Sequence, residues 1–170
     1  MLLANGALMD LQLKQVTLAF IIKGDEILLA MKKRGFGAGL WNGYGGKPKD
    51  GENIYDAAKR EVKEEIGIEV KSMKKVGVLD IYFEGDKPDW NQQVHVFLIQ
   101  KYNGEPKESE EMLPKWFKIN EIPYDKMWED DKFWLPKVIE GHSVYGRFLF
   151  GADNKLKEKH VELDPKMIVY

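Results

Sequence analysis

Glycine stands at positions 35, 37, 39, 43, 45 and 46, six times within residues 34–47. No regular element tolerates so many residues without a side chain, so this stretch is a loop with room for one short strand. It divides the first half of the chain into two different patterns. Before it, residues 15–23 and 26–33 are rich in Val, Ile, Leu and Phe and meet at Gly24-Asp25, as two strands joined by a tight turn do. After it, Ile54, Ala58, Val62 and Ile66 recur every four residues with Ala57 beside them. That spacing predicts a helix over 53–66 with one buried stripe. Asn53 with Asp56 three residues on resembles a capping box, and Gly67 supplies the stop.

Downstream, 68–83 and 94–102 read as longer strands separated by a polar turn over 85–93. A short strand is expected at 116–119 and a second helix at 131–140, capped by Asp130 or Asp131 and ended by Gly141. Pro136 sits awkwardly in that helix if it starts early. Residues 144–150 and 159–163 suggest a closing hairpin. Strands before, between and after two helices predict an α+β fold with helices on a mixed sheet. A chain of 170 residues, 44% hydrophobic and 12% aromatic, suits one domain with a sizeable core. The formal net charge of -2 gives no nucleic-acid footprint. Absence of cysteine excludes disulfides, thiolate metal sites and a cysteine nucleophile. Residues 1–10 make a poor signal peptide and no stretch is apolar enough to span a bilayer, so a cytoplasmic, membrane-free domain is expected.

The most informative segment runs Gly46-Lys-Pro-Lys-Asp-Gly-Glu52 and on through Arg60-Glu61-Val62-Lys-Glu64-Glu65-Ile-Gly67-Ile68. At about 100° per residue, Glu64 and Glu65 fall within about 60° and 40° of Glu61 on the helix. Three carboxylates on one side repel one another. A hard cation removes that penalty, and magnesium takes oxygen ligands while bridging carboxylates to phosphates. Arg60 is placed to pair with a neighbouring carboxylate. A bare Glu/Lys run is otherwise an ordinary solvated face.

Together these residues resemble the Nudix box, G-x5-E-x7-R-E-U-x-E-E-x-G-U with U aliphatic, at every specified position: Gly46, Glu52, Arg60, Glu61, Val62, Glu64, Glu65, Gly67 and Ile68. The resemblance implies a mixed β-sheet sandwiched between α-helices, with 1–170 as one domain and 1–14 and 152–170 as peripheral extensions. It implies Glu61, Glu64 and Glu65 as ligands of Mg2+, with Mn2+ as its substitute and the Gly45 carbonyl as a further ligand. Glu52 would help to organise the box. The chemistry implied is metal-assisted hydrolysis of a phosphate chain. The general base would lie among the helix glutamates or at Glu111, within Glu108-Ser-Glu-Glu-Met112, which also reads as a metal ligand on that later loop.

Substrate choice must come from outside the box. Residues 31–47, Glu108–Met112 and Met127-Trp-Glu-Asp-Asp131 are similar to the animal oxidised purine nucleoside triphosphatases of the MutT-homologue type. The base pocket implied comprises Thr17, Phe36, Asn42, Trp128, Asp130 and Asp131, with Tyr44, Gly45, Gly46, Met112 and Glu129 adjoining. Trp128 and Phe36 offer flat faces for stacking. Asn42 offers a donor and an acceptor. Two adjacent carboxylates in a dry pocket should share a proton, so that one donates and the other accepts. Lys32 and Lys47 read either as phosphate-binding point charges or as solvated surface. His95, mid-strand, reads as structural. Three departures bear on base preference: Glu129 replaces a proline, Tyr44 a phenylalanine, and Gln92 a methionine that lines the pocket.

The implied reaction converts 8-oxo-dGTP or 2-oxo-dATP to a monophosphate and pyrophosphate by a monomeric enzyme. Two alternatives stand beside it. One is Nudix chemistry on a dinucleoside polyphosphate, ADP-ribose or an undamaged dNTP. The other is a non-catalytic nucleotide-binding module, whose signature would be loss of the box glutamates.

Overall fold

Neighbouring residues of the first strand are apolar on both sides, which demands cover on both faces of the sheet. The protein, described for residues 12–166 by a computed structural model, supplies one helix to each face. The elements are β1 (Lys14–Lys23), β2 (Glu26–Lys32), β3 (Trp41–Asn42), α1 (Ile54–Ile66), β4 (Glu69–Phe83), β5 (Gln92–Asn103), β6 (Met112–Lys118), α2 (Asp131–Ile139), β7 (Val144–Phe150) and β8 (Leu156–Leu163). The strand order is β3-β2-β1-β5-β4-β7-β8, with β6 on β2. The β1–β5 and β4–β7 pairs are parallel and the others antiparallel, so the sheet is mixed, as expected.

Alternation along β1 sorts the core into two layers. Phe20 joins Trp134, Leu135 and Val138 of α2 on one face. Ala19 and Ile21 join Ala58, Val62 and Ile66 of α1 on the other. Val62 is fully buried, and covering such a side chain contributes about 2 kcal/mol. An aspartate there would unseat α1 from the sheet.

The site is positioned by a fork in this sheet. β1 pairs with β2 only over residues 26–28 of β2, whereas β3 pairs with Ala30 and Met31. The chain after β3 then crosses to β1, where Tyr44 bridges Ala19 and the Gly46 carbonyl accepts the Thr17 N–H at 2.8 Å. The glycine-rich segment therefore fills the gap between β1 and β2.

Three expectations change. The strand expected at 116–119 is the longer β6, because β2 offers it a ladder from Lys32 to Glu26. Pro114 and Lys115 are tolerated there since β6 is an edge strand. β8 begins at Leu156, so part of the stretch read as peripheral forms the sheet edge on β7. Asp130 precedes α2 but makes no capping bond, and Pro136 lies inside the helix. The expectation for residues 1–10 falls outside the described residues. Among the described residues, no helix is long and apolar enough to cross a membrane.

Candidate active site

Helix α1 is fixed at both ends by its own sequence. The Asn53 side chain accepts the Asp56 N–H at 2.9 Å, and Gly67, at φ 75°, donates to the Lys63 carbonyl at 2.9 Å. The apolar stripe packs on the sheet, which leaves Arg60, Glu61 and Glu64 on the other side. Arg60 is the hub. Its Nε and Nη2 reach the two Glu52 oxygens at 2.8 and 2.9 Å, and its Nη1 reaches Glu61 at 2.8 Å and Glu64 at 3.1 Å. Nη2 also donates to the Lys47 carbonyl at 3.1 Å, tying helix to loop. These Arg60 bonds, with the Lys49 N–H second, hold the Glu52 carboxyl down at about 2.

Glu65 differs from its neighbours. It is 6% exposed, and its Oε2 has no hydrogen-bond partner. Burial first, and the Glu61 charge second, push its carboxyl up to about 8; the Gly45 N–H and then Lys32 oppose this, and the Glu111 charge adds to it. An orphaned oxygen on a buried acid beside other acids suits a divalent cation, whose charge would replace the missing partners. Among the described residues, no three acidic side chains are placed to grip one ion together. Glu61 and Glu64 are instead held by Arg60. Glu111 is half-exposed and paired with Arg34 at 3.1 Å.

Two glycines bring loop and helix together. A Cβ on Gly46 would meet the Glu61 carboxylate at 2.6–2.8 Å, and one on Gly45 would meet the Thr17 carbonyl oxygen at 1.8 Å. The Thr17 hydroxyl accepts the Gly46 N–H at 3.1 Å and donates back to the Gly46 carbonyl at 3.2 Å. Thr17 borders the cavity, but its hydroxyl latches the glycine strip.

From that strip a cavity of about 430 Å³ opens on the α2 face. Phe36, Asn42, Lys32, Lys47, Gly45, Gly46, Met112, Trp128, Asp130 and Asp131, all expected from the sequence, line it. The Asn42 carbonyl accepts the Gly43 N–H at 2.8 Å, which leaves its NH2 for a ligand. Phe36 and Trp128 stack on each other, 5.2 Å apart and 22° from parallel. They are one wall, and a base would use an outer face of the pair rather than a slot between them.

Asp130 and Asp131 are 5% and 3% exposed. Asp130 accepts the Trp134 indole N–H at 3.0 Å, which explains its missing capping bond, whereas Asp131 Oδ2 has no partner. Burial raises both carboxyls above the ordinary aspartate range, and the Asp130 charge lifts Asp131 further. One acid keeps its proton where the other gives it up, so the pair offers a donor beside an acceptor.

Two expected site residues fall elsewhere. Tyr44 is fully buried in the α1-side core, because strand alternation turns it away from the cavity; burial first and Glu65 second raise its hydroxyl pKa. Glu129 is exposed and accepts the Leu156 N–H at 3.3 Å, so it braces β8 instead of touching a ligand. His95, read from the sequence as structural, has its Nε2 2.6 Å from Gln15 Oε1; its Nδ1 is buried without a hydrogen-bond partner, and burial lowers its pKa to about 4. Sequence reasoning missed Phe83, Trp90 and Phe150, which complete the aromatic wall around Phe36 and Trp128. Only Trp90 left a signal, as a lone aromatic in an otherwise polar turn.

Comparison with known proteins bears on this geometry. Residues 13–138 match the NUDIX domain. The chain is 42% identical to the oxidized purine nucleoside triphosphate hydrolase of Danio rerio over 88% of its length and 94% of that protein. It is 45% identical to the mouse (Mus musculus) protein of the same name, over 79% and 85% respectively. The crystal structure of a MutT protein from Bacillus halodurans superimposes with a TM-score of 0.76 at 30% identity, covering 88% of this chain and 98% of that one.

Proposed function

Because this chain belongs to the Nudix hydrolase family, we propose that it hydrolyses oxidised purine nucleoside triphosphates, such as 8-oxo-dGTP and 2-oxo-dATP, to monophosphate and pyrophosphate. The observation that carries this reading is one continuous cavity. Its lining includes both the buried Asp130–Asp131 pair and Gly46, against which Glu61 is packed. A base read by the acids would thereby lay its phosphates beside the α1 carboxylates. The relatives from Danio rerio and mouse, named for oxidized purine nucleoside triphosphates, support the same substrate class.

Nudix hydrolases generally use divalent metal ions. Magnesium, with manganese as its substitute, would be held by Glu65, Glu61 and Glu64 with the Gly45 carbonyl and Glu111 adjoining, where it would neutralise phosphate charge and lower the pKa of a bound water. The chain's own groups do the rest. Arg60 orients Glu52, Glu61 and Glu64, and its bond to Lys47 keeps the phosphate-side loop against the helix. Lys32 and Lys47 supply mobile positive charges along the phosphate path. Trp128 stacks with the base, the Asn42 NH2 donates to it, and the acid pair matches one donor and one acceptor on its edge. Exchanging the proton between Asp130 and Asp131 would let one pocket take both oxidised guanine and oxidised adenine. A carboxylate of α1, or Glu111, takes the proton of the attacking water. The enzyme acts as a cytoplasmic monomer on free nucleotides, and its role is sanitation of the nucleotide pool.

The decisive test is kcat/KM with magnesium for 8-oxo-dGTP, 2-oxo-dATP, dGTP and ADP-ribose, with detection of pyrophosphate. The oxidised purines should lead. Equal values for 8-oxo-dGTP and dGTP would remove the sanitation role, and a lead for ADP-ribose would reassign the substrate.

A further inference from the structure

Gln92 and Gln93 are adjacent, yet their amides meet opposite fates. Strand alternation sends Gln93 to the α1 side, where its Nε2 donates to Asp80 at 2.9 Å. Gln92 opens β5 on the α2 side and lines the cavity. Its strand partners are Lys14 of β1 and Ile81 of β4, so it stands across β1 from Asn42 and the glycine strip. The cavity lining on its side of the sheet is mostly apolar, with Leu79, Ile81, Phe83 and Val94, and also includes Asp89, whose carboxylate is taken by Lys14. Among the described residues, none hydrogen-bonds the Gln92 amide. Gln92 is half-buried, so its amide, without a protein partner, is left to water or to a ligand in the cavity.

We propose that Gln92 is a specificity-determining residue that reads the imidazole edge of an 8-oxopurine, a claim that rests on the oxidised-purine function above. The chemistry is complementary. Oxidation at C8 replaces a C–H with a carbonyl and turns N7 from an acceptor into an N–H donor. The base then presents an acceptor and a donor side by side. A primary amide presents the matching pair, with Nε2 donating to the C8 carbonyl and Oε1 accepting from N7–H. An undamaged purine offers only the N7 lone pair and leaves Oε1 facing a C–H. Asn42, Asp130 and Asp131 lie on other walls and remain for the pairing edge, so two edges of the base are read by separate groups.

The test compares wild type with Gln92→Met, which keeps an unbranched chain of similar length and removes the amide. kcat/KM is measured for 8-oxo-dGTP, dGTP and 2-oxo-dATP, the last two of which keep C8–H. Loss of two hydrogen bonds should lower the 8-oxo-dGTP value about tenfold more than either of the others, mainly through KM. Calorimetric binding of 8-oxo-dGMP against dGMP should show the same differential loss without turnover. If all three substrates fall together, Gln92 serves packing or the sugar and the proposal is overturned. A wild type that prefers 8-oxo-dGTP, with that preference unaltered in Gln92→Met, removes this proposal alone. A wild type with no such preference removes the sanitation reading, and this inference with it.

Discussion

Asparagine in place of Asp131 tests whether the buried acid pair holds a proton. Asp131 is 3% exposed with an unpartnered Oδ2, and burial plus the Asp130 charge raise its carboxyl well above the ordinary value. Unfolding returns the group to about 3.9. For an acid raised in the folded state, its contribution to stability is fully present below the unfolded value. It is lost as pH climbs toward the folded value. One such group costs about 1.4 kcal/mol per pH unit across that window. Above the unfolded value the wild type should therefore lose stability steadily as pH rises, until this carboxyl ionises in the folded protein. Asp131→Asn has nearly the same shape and cannot ionise, so it should keep that energy, and its NH2 can still donate to Asp130. Glu65 titrates in both proteins and cancels in the difference. Urea unfolding at intervals from about pH 4 to about pH 8 measures the two free energies. They should coincide at the acid end, and the variant's advantage should grow as pH rises above about 4, by up to about 1.4 kcal/mol per pH unit. A difference independent of pH, or a less stable variant near neutrality, would refute the reasoning.

Three further outcomes are expected. Glu64→Gln should lower kcat by a hundredfold or more, on the order of 3 kcal/mol of barrier, while circular dichroism stays native because Glu64 is an exposed, cap-independent position on α1; normal turnover would contradict the proposed site. Gly46→Ala drives a Cβ into the Glu61 carboxylate at 2.6–2.8 Å, so activity should fall well before stability does, checked by kcat against melting temperature. Trp128→Ala removes the stacking face and its contact with Phe36, and should raise KM by roughly 5–150-fold, equivalent to about 1–3 kcal/mol, with a smaller effect on kcat.

The helix and its chemistry were legible without coordinates because their determinants are local. Asn53 and Gly67 set its ends, a repeat of four sets its buried face, and the carboxylates are what remains. The splitting of the sheet around the glycine strip was half legible: glycines announce a loop, but only the Thr17 and Ala19 backbone partners reveal where it runs. β6 extends beyond its own sequence signal because a strand containing Pro114, Lys115 and Lys118 takes its conformation from the β2 edge and not from its own propensity. Asp130 looked like a cap, the local role; the Trp134 indole one turn away outcompeted it.

The sequence by itself determined the family, the α+β class and the set of carboxylates and aromatics from which the site is built, since these follow from composition and short-range spacing. Tertiary structure decided which of them share a space. It turned Tyr44 into the core and Glu129 toward β8, brought Phe150 and Trp90 to Phe36 and Trp128, and aimed Gln92 at the cavity while binding Gln93 behind it. The reason is that a strand side chain has two faces to choose from. Which one is a cavity depends on where helices from distant parts of the chain come to rest.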